Sequence, residues 1–559
     1  MEATLKMKEK YLDIMETALS AYSASDMLSY YERVRSDGIT EHGYPRLVAN
    51  IGILISKGRR KELLAFFLDM MNLATECMPR ASGRGGNDFS VREIISAILE
   101  LEATDLVSRE RTARWRESLS KIDPLTNYRE VPKPDGSYVG NWAAYNAASE
   151  YMRVASGLAP DTGFIDSQLE SQLRNFDENG MYMDPNAPML YDVATRVQLA
   201  SILHFGYTGK HSSEIERMLD KSAELTEMMQ SVTGELPFGG RSNQMLFNEA
   251  YLAAMMEFYA ARYKKRGDLE RAARFKAGAA LATERILRAL GRTPLTHVKN
   301  FYPRDEMVGC EPYAYFDKYM ITLASFAYLA YTFSDDEIEP SVALAEKGGY
   351  TALTSDKFHK FFVNNGGYFL EFDMNPDPHY DAAGLGRIHK SGAPEALVLS
   401  VPFAEKPVYK ISENNDTPLA LSSSRDVGAA YSVAEIGNVN SAIYAYMNVC
   451  LDGKIIADEK YTVDEDGVNV IVDTEGETEY SIPAFMFDGS VYTNTTLVKN
   501  TLRVYYGGFV AEYSTPDAEI LDTGRTYRNR NGVYRLYVAR STQRVSLHVR
   551  VYPGLPTDV

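Results

Sequence analysis

The feature that most limits how this chain can fold is a repeat of paired helical segments that stops partway along it. Up to about residue 335, apolar residues recur three and four apart in stretches such as RLVANIGILISKG, SVREIISAILELEA, EAYLAAMMEFYAARY and YMITLASFAYLAYTF. That is the period of a helix with a buried face. Helices are expected to begin near Tyr44, Asp88, Asn141, Met189, Asn243 and Tyr313, with plainer second helices at 60–76, 108–121, 161–174, 212–229 and 268–291. A single hairpin cannot bury its own apolar face, so hairpins in series must stack, either as an open solenoid or as a closed ring. In a closed ring, an α/α toroid, the inner helices start at one face and the loops before them converge on a common cavity.

From about residue 350 the pattern changes. YSVAEI, SAIYAYMNVCL, GVNVIVDT, TLRVYYGGFVAEY, GVYRLYVAR and VSLHVRVY are short, rich in Val, Tyr and Ile, and separated by Gly, Asn and Asp turns. Strands that follow strands with no helix between them imply antiparallel sheets. At 559 residues the chain is too long for one ordinary core. The expected architecture is therefore multidomain: an N-terminal α/α toroid over 1–340, followed by an antiparallel β domain over 341–559.

The turns that open the inner helices are chemically distinct from the rest. GRGGNDF (83–89), GNWAAYN (140–146), DPNAPMLYD (184–192), FGGRSNQ (238–244) and GCEPYAYFDKY (309–319) concentrate Asn, Tyr, Trp and Arg, whereas the second helices carry Lys, Glu and Leu. A collar of aromatic faces, amides and guanidinium groups suits a sugar: pyranose C–H faces pack on rings, and hydroxyls need directional partners. Hydrolysis at such a site needs two opposed carboxyl groups. β-Elimination from a 4-linked uronate needs a group that neutralises the carboxylate, a base for the C5 proton and an acid for the leaving oxygen; an Asn amide or a protonated acid suits the first role, and Tyr or His the others.

Other chemistries are disfavoured. A net charge of −17 argues against nucleic acid or an anionic membrane as partner, although a few arginines can reverse the field within one cleft. Cys77, Cys310 and Cys450 are far apart and form no CxxC, so neither a disulfide framework nor a thiolate zinc site is signalled. P-loop, GxSxG and HExxH patterns are missing from the sequence, and GLGRIH at 384–389 lacks the βαβ setting of a dinucleotide loop. No run of 18 apolar residues occurs, and the first residues lack the pattern of a secretory signal. With Met1 as the natural start, a cytoplasmic protein is expected.

The segment DENGMYMDPNAPMLYDVATRVQLASIL resembles the toroid polysaccharide lyases of the hyaluronate/chondroitin and heparinase II/III types, in which a DG-like turn precedes a helix that carries the catalytic tyrosine. Tyr191 falls at the matching position. The histidine found a few residues upstream in hyaluronate lyases is replaced here by the stretch Asp184, Pro185 and Asn186. NW at 141–142, GRS at 240–242 and EPYAYFDKY at 311–319 are also similar to an uncharacterised bacterial family of toroid proteins allied to these lyases. The resemblance spans about 85–335 and implies a C-terminal β-sandwich. In heparinase-type enzymes the second domain supplies a histidine, which implies a role for His389, with His379 as the substitute, in the polar stretch 377–397.

Turn chemistry and resemblance together give each candidate residue a role. Asn141 is expected to hold the uronate carboxylate, with Asn146 as its substitute; Tyr191 to transfer the proton; and Arg241 to bind the carboxylate or lower the phenol pKa. Trp142 is expected to stack on a sugar ring, Asn243 and Gln244 to bind hydroxyls, and Tyr313, Tyr315, Lys318 and Arg387 to line the site. The alternatives are a glycoside hydrolase drawing on Glu178, Asp184, Asp192, Glu249 or Asp317, and a non-catalytic glycan-binding protein. No cofactor is expected; related lyases include some with a structural divalent cation, and no His/Asp spacing here points to one. The expected partner is a uronate-containing oligosaccharide, bound by a monomer or a homodimer.

Overall fold

A computed structural model describes residues 6–129, 131, 139–401, 420–424 and 428–555. Helices α1 (Met7–Ser20) and α2 (Ala24–Asp37) open the chain, and hairpins follow: α3 (Gly43–Ser56) with α4 (Leu64–Cys77), and α5 (Asn87–Glu102) with α6 (Arg109–Ser120). After the single turn α7 (Pro124–Asn127) come α8 (Trp142–Ala155) with α9 (Phe164–Leu173), α10 (Met189–His204) with α11 (Ser212–Met228), and α12 (Phe247–Lys265) with α13 (Leu269–Leu290). Helix α14 (Phe316–Phe333) and the short α15 (Leu344–Lys347) complete the helical part.

The hairpins form a closed ring. α3 packs on α5, α5 on α8, α8 on α10, α10 on α12, α12 on α14, and α14 returns to α3. The inner helices are apolar or paired on all sides: every residue of α12 from Phe247 to Ala260 is buried. An outer helix such as α11 buries only one stripe, Ile215, Leu219, Ser222, Ala223, Thr226 and Glu227, as expected where one face meets solvent. α12 and α14 begin later than expected, at Phe247 and Phe316. The turn before α12 delays its start, because Gly239, Gly240, Ser242 and Gln244 all have positive φ and cannot join a right-handed helix.

The strands are β1 (Tyr350–Leu353), β2 (Lys360–Asn365), β3 (Tyr368–Asp373), β4 (Gly384–Lys390), β5 (Ala430–Val439), β6 (Ala442–Leu451), β7 (Lys454–Val463) and β8 (Val468–Thr474), then β9 (Thr478–Phe487), β10 (Asn494–Val498), β11 (Thr501–Tyr506), β12 (Phe509–Ser514), β13 (Glu519–Arg528), β14 (Val533–Ser541) and β15 (Arg544–Pro553). They form a four-stranded sheet β1-β2-β3-β4, an eight-stranded sheet β10-β11-β12-β15-β8-β7-β6-β5 and a three-stranded sheet β13-β14-β9. All pairings are antiparallel. One core joins the sheets, including Phe361, Leu370, Met447, Tyr461, Ile482 and Leu547. The architecture is thus an α/α toroid followed by an antiparallel β-sandwich.

The four-stranded sheet is the seam between the two parts. Phe361, Val363, Leu370 and Phe372 face the sandwich core, while Phe362 and Phe369 pack with Met181, Met189, Met229 and Val232 of the helical part. The stretch 377–397, read from sequence as a polar glycine-rich segment, contains β4, whose Arg387 and His389 are both fully buried. They meet a buried ionic network: Arg387 lies 3.0 Å from Glu371 and 3.4 Å from Glu235, Lys360 lies 2.8 Å from Asp373, and Lys299 lies 2.8 Å from Glu235 and 3.0 Å from Glu249. Full pairing is what makes charge tolerable at such depth.

Candidate active site

The inner-helix starts meet in a circuit of side chains at one end of the ring. His42, before α3, lies 5.0 Å from Phe89 of α5 between ring centroids, and Phe89 lies 4.5 Å from Trp142 and 4.8 Å from Tyr145 of α8. Tyr145 shares a hydroxyl hydrogen bond with Tyr251 of α12, whose ring lies 6.0 Å from that of Phe247, and Phe247 lies 5.3 Å from Tyr319 of α14. The Tyr191 hydroxyl is 3.0 Å from Ser242 Oγ, which is 2.6 Å from the Tyr313 hydroxyl. Tyr313 lies 6.3 Å from Tyr319 of α14, and Tyr319 lies 6.1 Å from His42, closing the loop. The structure therefore brings Trp142, Tyr191 and Tyr313 into one collar.

The Tyr191 environment is set by the turn 238–246. Gly240 takes a left-handed φ of 73°, and a Cβ there would lie 2.6 Å from the Cβ of Pro188, so only glycine lets this turn rest against the segment before α10. Arg241 then projects over the Tyr191 ring, 4.6 Å from its centroid, donates 2.8 Å to Pro185 O and pairs with Asp184. Ser242 is held in its own left-handed conformation by its N–H, which donates 2.5 Å to Glu311 Oε1. Arg530, from the turn between β13 and β14, donates to the same Glu311 oxygen at 2.9 Å and to Asn243 O. Left-handed backbone at a non-glycine residue costs about 1–3 kcal/mol and persists only where neighbours enforce it, a pattern that clusters at functional sites.

Burial raises the Tyr191 pKa, while the Arg241 guanidinium and the Ser242 hydroxyl oppose it, and the net direction is upward. The Tyr313 phenol is also raised, first by burial and then by the Tyr191 and Glu311 charges. Both phenols therefore hold their protons at neutral pH, and Arg241 limits the cost of ionising Tyr191. The pull of Arg241 on the phenol is smaller than the desolvation it opposes.

The β3–β4 loop reaches the same turn. Asp381 Oδ2 accepts from Gly240 N at 2.8 Å, and burial lifts the Asp381 carboxyl to about 7. Asn186 donates to Asp377 at 2.7 Å, and His379, 65% exposed, pairs with Asp377 at 2.8 Å on the rim. Tyr315 is 49% exposed, with Lys318 Nζ 4.9 Å above its ring.

Several expected site residues are placed elsewhere. His389 lies in the seam: its Nδ1 is 2.6 Å from Ser231 Oγ and 3.0 Å from Thr233 Oγ1, and its Nε2 is 2.8 Å from Ser400 Oγ. Burial lowers its pKa, and with both nitrogens engaged it cannot serve Tyr191 as base or acid. Arg387, committed to Glu371, Glu235 and Leu236 O, offers nothing to a ligand. Asn146 is fully buried, its amide 3.5 Å from Gln168. Asn243 and Gln244 are buried supports of the turn, bonded to Gly240 O at 2.6 Å and to Lys299 Nζ at 3.0 Å. Asn141, by contrast, stays beside Trp142 of the collar: it precedes α8 at 4% exposure, and its side chain makes no capping bond.

Ser242, Glu311 and Arg530 were not singled out from sequence. Ser242 and Glu311 lie within the quoted turns GRS and EPYAYFDKY, but Arg530 lies in a RNRNG turn with nothing local to mark it. Among the described residues, no group of three or more His, Cys, Asp or Glu side chains is arranged to hold a metal ion, and no helix is long and apolar enough to cross a membrane.

No family model matches the chain, and no curated protein matches it. Solved structures do. A mutant of chondroitin AC lyase from Streptomyces coelicolor A3 is similar at 12% identity over 99% of this chain and 80% of its own, with a TM-score of 0.49. Heparan sulfate lyase HepC from Pedobacter heparinus is similar at 10% identity over 89% of this chain and 77% of its own, with a TM-score of 0.34. A β-arabinofuranosidase of glycoside hydrolase family 127 is similar at 10% identity over 100% of this chain and 97% of its own, with a TM-score of 0.39.

Proposed function

We propose that the protein is a lyase that cleaves oligosaccharides at a 4-linked uronic acid by β-elimination, with Tyr191 as the proton-transfer group. The observation that carries this reading is the hydroxyl chain Tyr191–Ser242–Tyr313 beneath the Arg241 guanidinium, set in a ring of aromatic side chains. In its ionised form Tyr191 takes the C5 proton and returns it to the leaving oxygen. The C5–H bond and the C4–O bond break, a C4–C5 double bond forms, the proton ends on the leaving oxygen as a hydroxyl, and the tyrosinate is regenerated for the next cycle. Ser242 and Tyr313, the latter 38% exposed, offer a path by which the resting proton leaves. Asn141 is assigned to the uronate carboxylate and Trp142 to the sugar face.

Three of the five carboxylates that a hydrolase would draw on are already neutralised, Asp184 by Arg241, Asp192 by Arg196 at 2.5 Å and Glu249 by Lys299 at 3.0 Å. Glu178 is exposed, and Asp317 lies 3.8 Å from Arg33. This favours elimination over hydrolysis. Incubation with uronate-containing oligosaccharides should generate ultraviolet absorbance from a 4,5-unsaturated uronate. Reducing ends without that chromophore would indicate hydrolysis, and binding without either product a lectin-like role.

The raised phenol sets the pH dependence. The active form is the ionised one, so kcat/KM should climb from neutral into alkaline pH, by about tenfold per unit while the phenol stays mostly protonated. Because Arg241 lowers the Tyr191 pKa, Arg241→Gln should move the rise to higher pH. A profile that is flat above pH 7, in both proteins, would remove Tyr191 as the titrating base. Asn141→Ala should slow turnover by roughly a hundredfold, the usual loss for a donor to developing negative charge, with thermal stability unchanged; a loss of stability alone would mark Asn141 as structural.

A further inference from the structure

A cavity of about 680 Å³ opens at the seam between α13 and the β-sandwich, away from the collar. Lys299 lines it and bonds Gln244 at 3.0 Å, so the support of the 238–246 turn forms part of its wall. Its size is that of ordinary small-ligand sites. Arg285, Arg288, Arg292 and Lys299 line it with Glu235, Glu395 and Asp488; with Glu249, which also pairs with Lys299, these charges balance, and Arg288 and Arg292 are the two of these cations that keep substantial exposure.

The lining is that of a prepared polar and aromatic site. Tyr505 and Asn531, 5% and 3% exposed, contribute to the lining. Tyr492, 69% exposed, stacks one ring face on Phe487 at 4.2 Å and leaves the other free. Arg292 lies over Phe301, 3.3 Å from the centroid, and donates to Asp488 at 2.7 Å; Arg288 is 52% exposed.

We propose that this cavity is a second saccharide site, distinct from the Tyr191 collar, which takes a sugar carrying one carboxylate or sulfate. The ring packs on Tyr492, and its anionic group meets Arg288 and Arg292. The site is independent of the elimination chemistry and holds a glycan without cleaving it.

The test uses the full-length Tyr191→Phe protein, which would not consume the probe. A tetrasaccharide of alternating glucuronate and N-acetylglucosamine is added, and amide hydrogen exchange is followed over 488–494 and 505–509. Slower exchange in both segments is expected. Adding Arg288→Ser, or Arg288→Ser with Tyr492→Ala, should raise the tetrasaccharide concentration needed for that protection by about tenfold or more without changing the melting temperature, since both side chains are largely exposed. Three results would overturn the proposal: no protection, protection indifferent to these variants, or equal protection by inorganic sulfate alone, which would make it a free-anion site. An uncharged N-acetylglucosamine tetrasaccharide that protects equally well would overturn the anionic assignment. Chromophore formation by the wild-type protein is scored separately, so the seam site and the proposed reaction can each fail alone.

Discussion

Tyr191→Phe is expected to lower formation of the unsaturated uronate by about three orders of magnitude or more, the upper part of the range for general acid–base groups. The loss should be large because one phenol serves both proton transfers, so removing its hydroxyl removes base and acid together. The fold should survive. The ring stays beneath Arg241 with its cation–π contact at 4.6 Å, and the hydroxyl that disappears has one partner, Ser242, which keeps Tyr313 at 2.6 Å. Ser242→Ala offers a graded comparison: the phenol remains but loses its hydrogen bond, so a smaller loss and an upward shift of the pH profile are expected. Retention of more than a tenth of wild-type activity in the Tyr191→Phe protein, with product still absorbing in the ultraviolet, would show that another group moves the proton.

Arg387→Met should destabilise the protein by about 3–5 kcal/mol, the usual cost of removing one partner from a buried ion pair. The guanidinium lies between Glu371 at 3.0 Å and Glu235 at 3.4 Å, and also donates to Leu236 O at 3.0 Å and Ser400 O at 3.2 Å. Methionine fills much of the volume but leaves both carboxylates facing a cation deficit in a dry seam. A lower midpoint in thermal or urea unfolding is the measurement. Arg387→Met combined with Glu371→Met should cost less than the sum of the two single changes, because an orphaned charge is removed with its partner. An unchanged midpoint in Arg387→Met would mean that water reaches the seam and the network contributes little.

Much of the architecture was readable because its causes are local. The three-and-four spacing in RLVANIGILISKG and EAYLAAMMEFYAARY marks α3 and α12, and the valine- and tyrosine-rich alternation in SAIYAYMNVCL and VSLHVRVY marks β6 and β15. β4 was hidden for an equally physical reason. GLGRIHK looks solvated, since its Arg and His would ordinarily face water; here they are buried against Glu235, Ser231 and Thr233, more than 150 positions earlier. Tyr191, Arg241, Trp142 and Tyr313 could be nominated because each sits in a polar, aromatic turn at a helix start. Asn243 and Gln244 carry the same local signature, yet they hold the turn from behind.

The kinds of element, their order and the polar turns that open the inner helices followed from periodicity and turn chemistry, which depend on a few neighbouring residues. Closure of the ring by α14 on α3, the meeting of Tyr191 with Ser242 and Tyr313, and the burial of His389 arose only once distant segments were packed together. Such pairings are fixed by shape and by the cost of leaving charge unpaired in a dry interior, and no short window of residues contains that information.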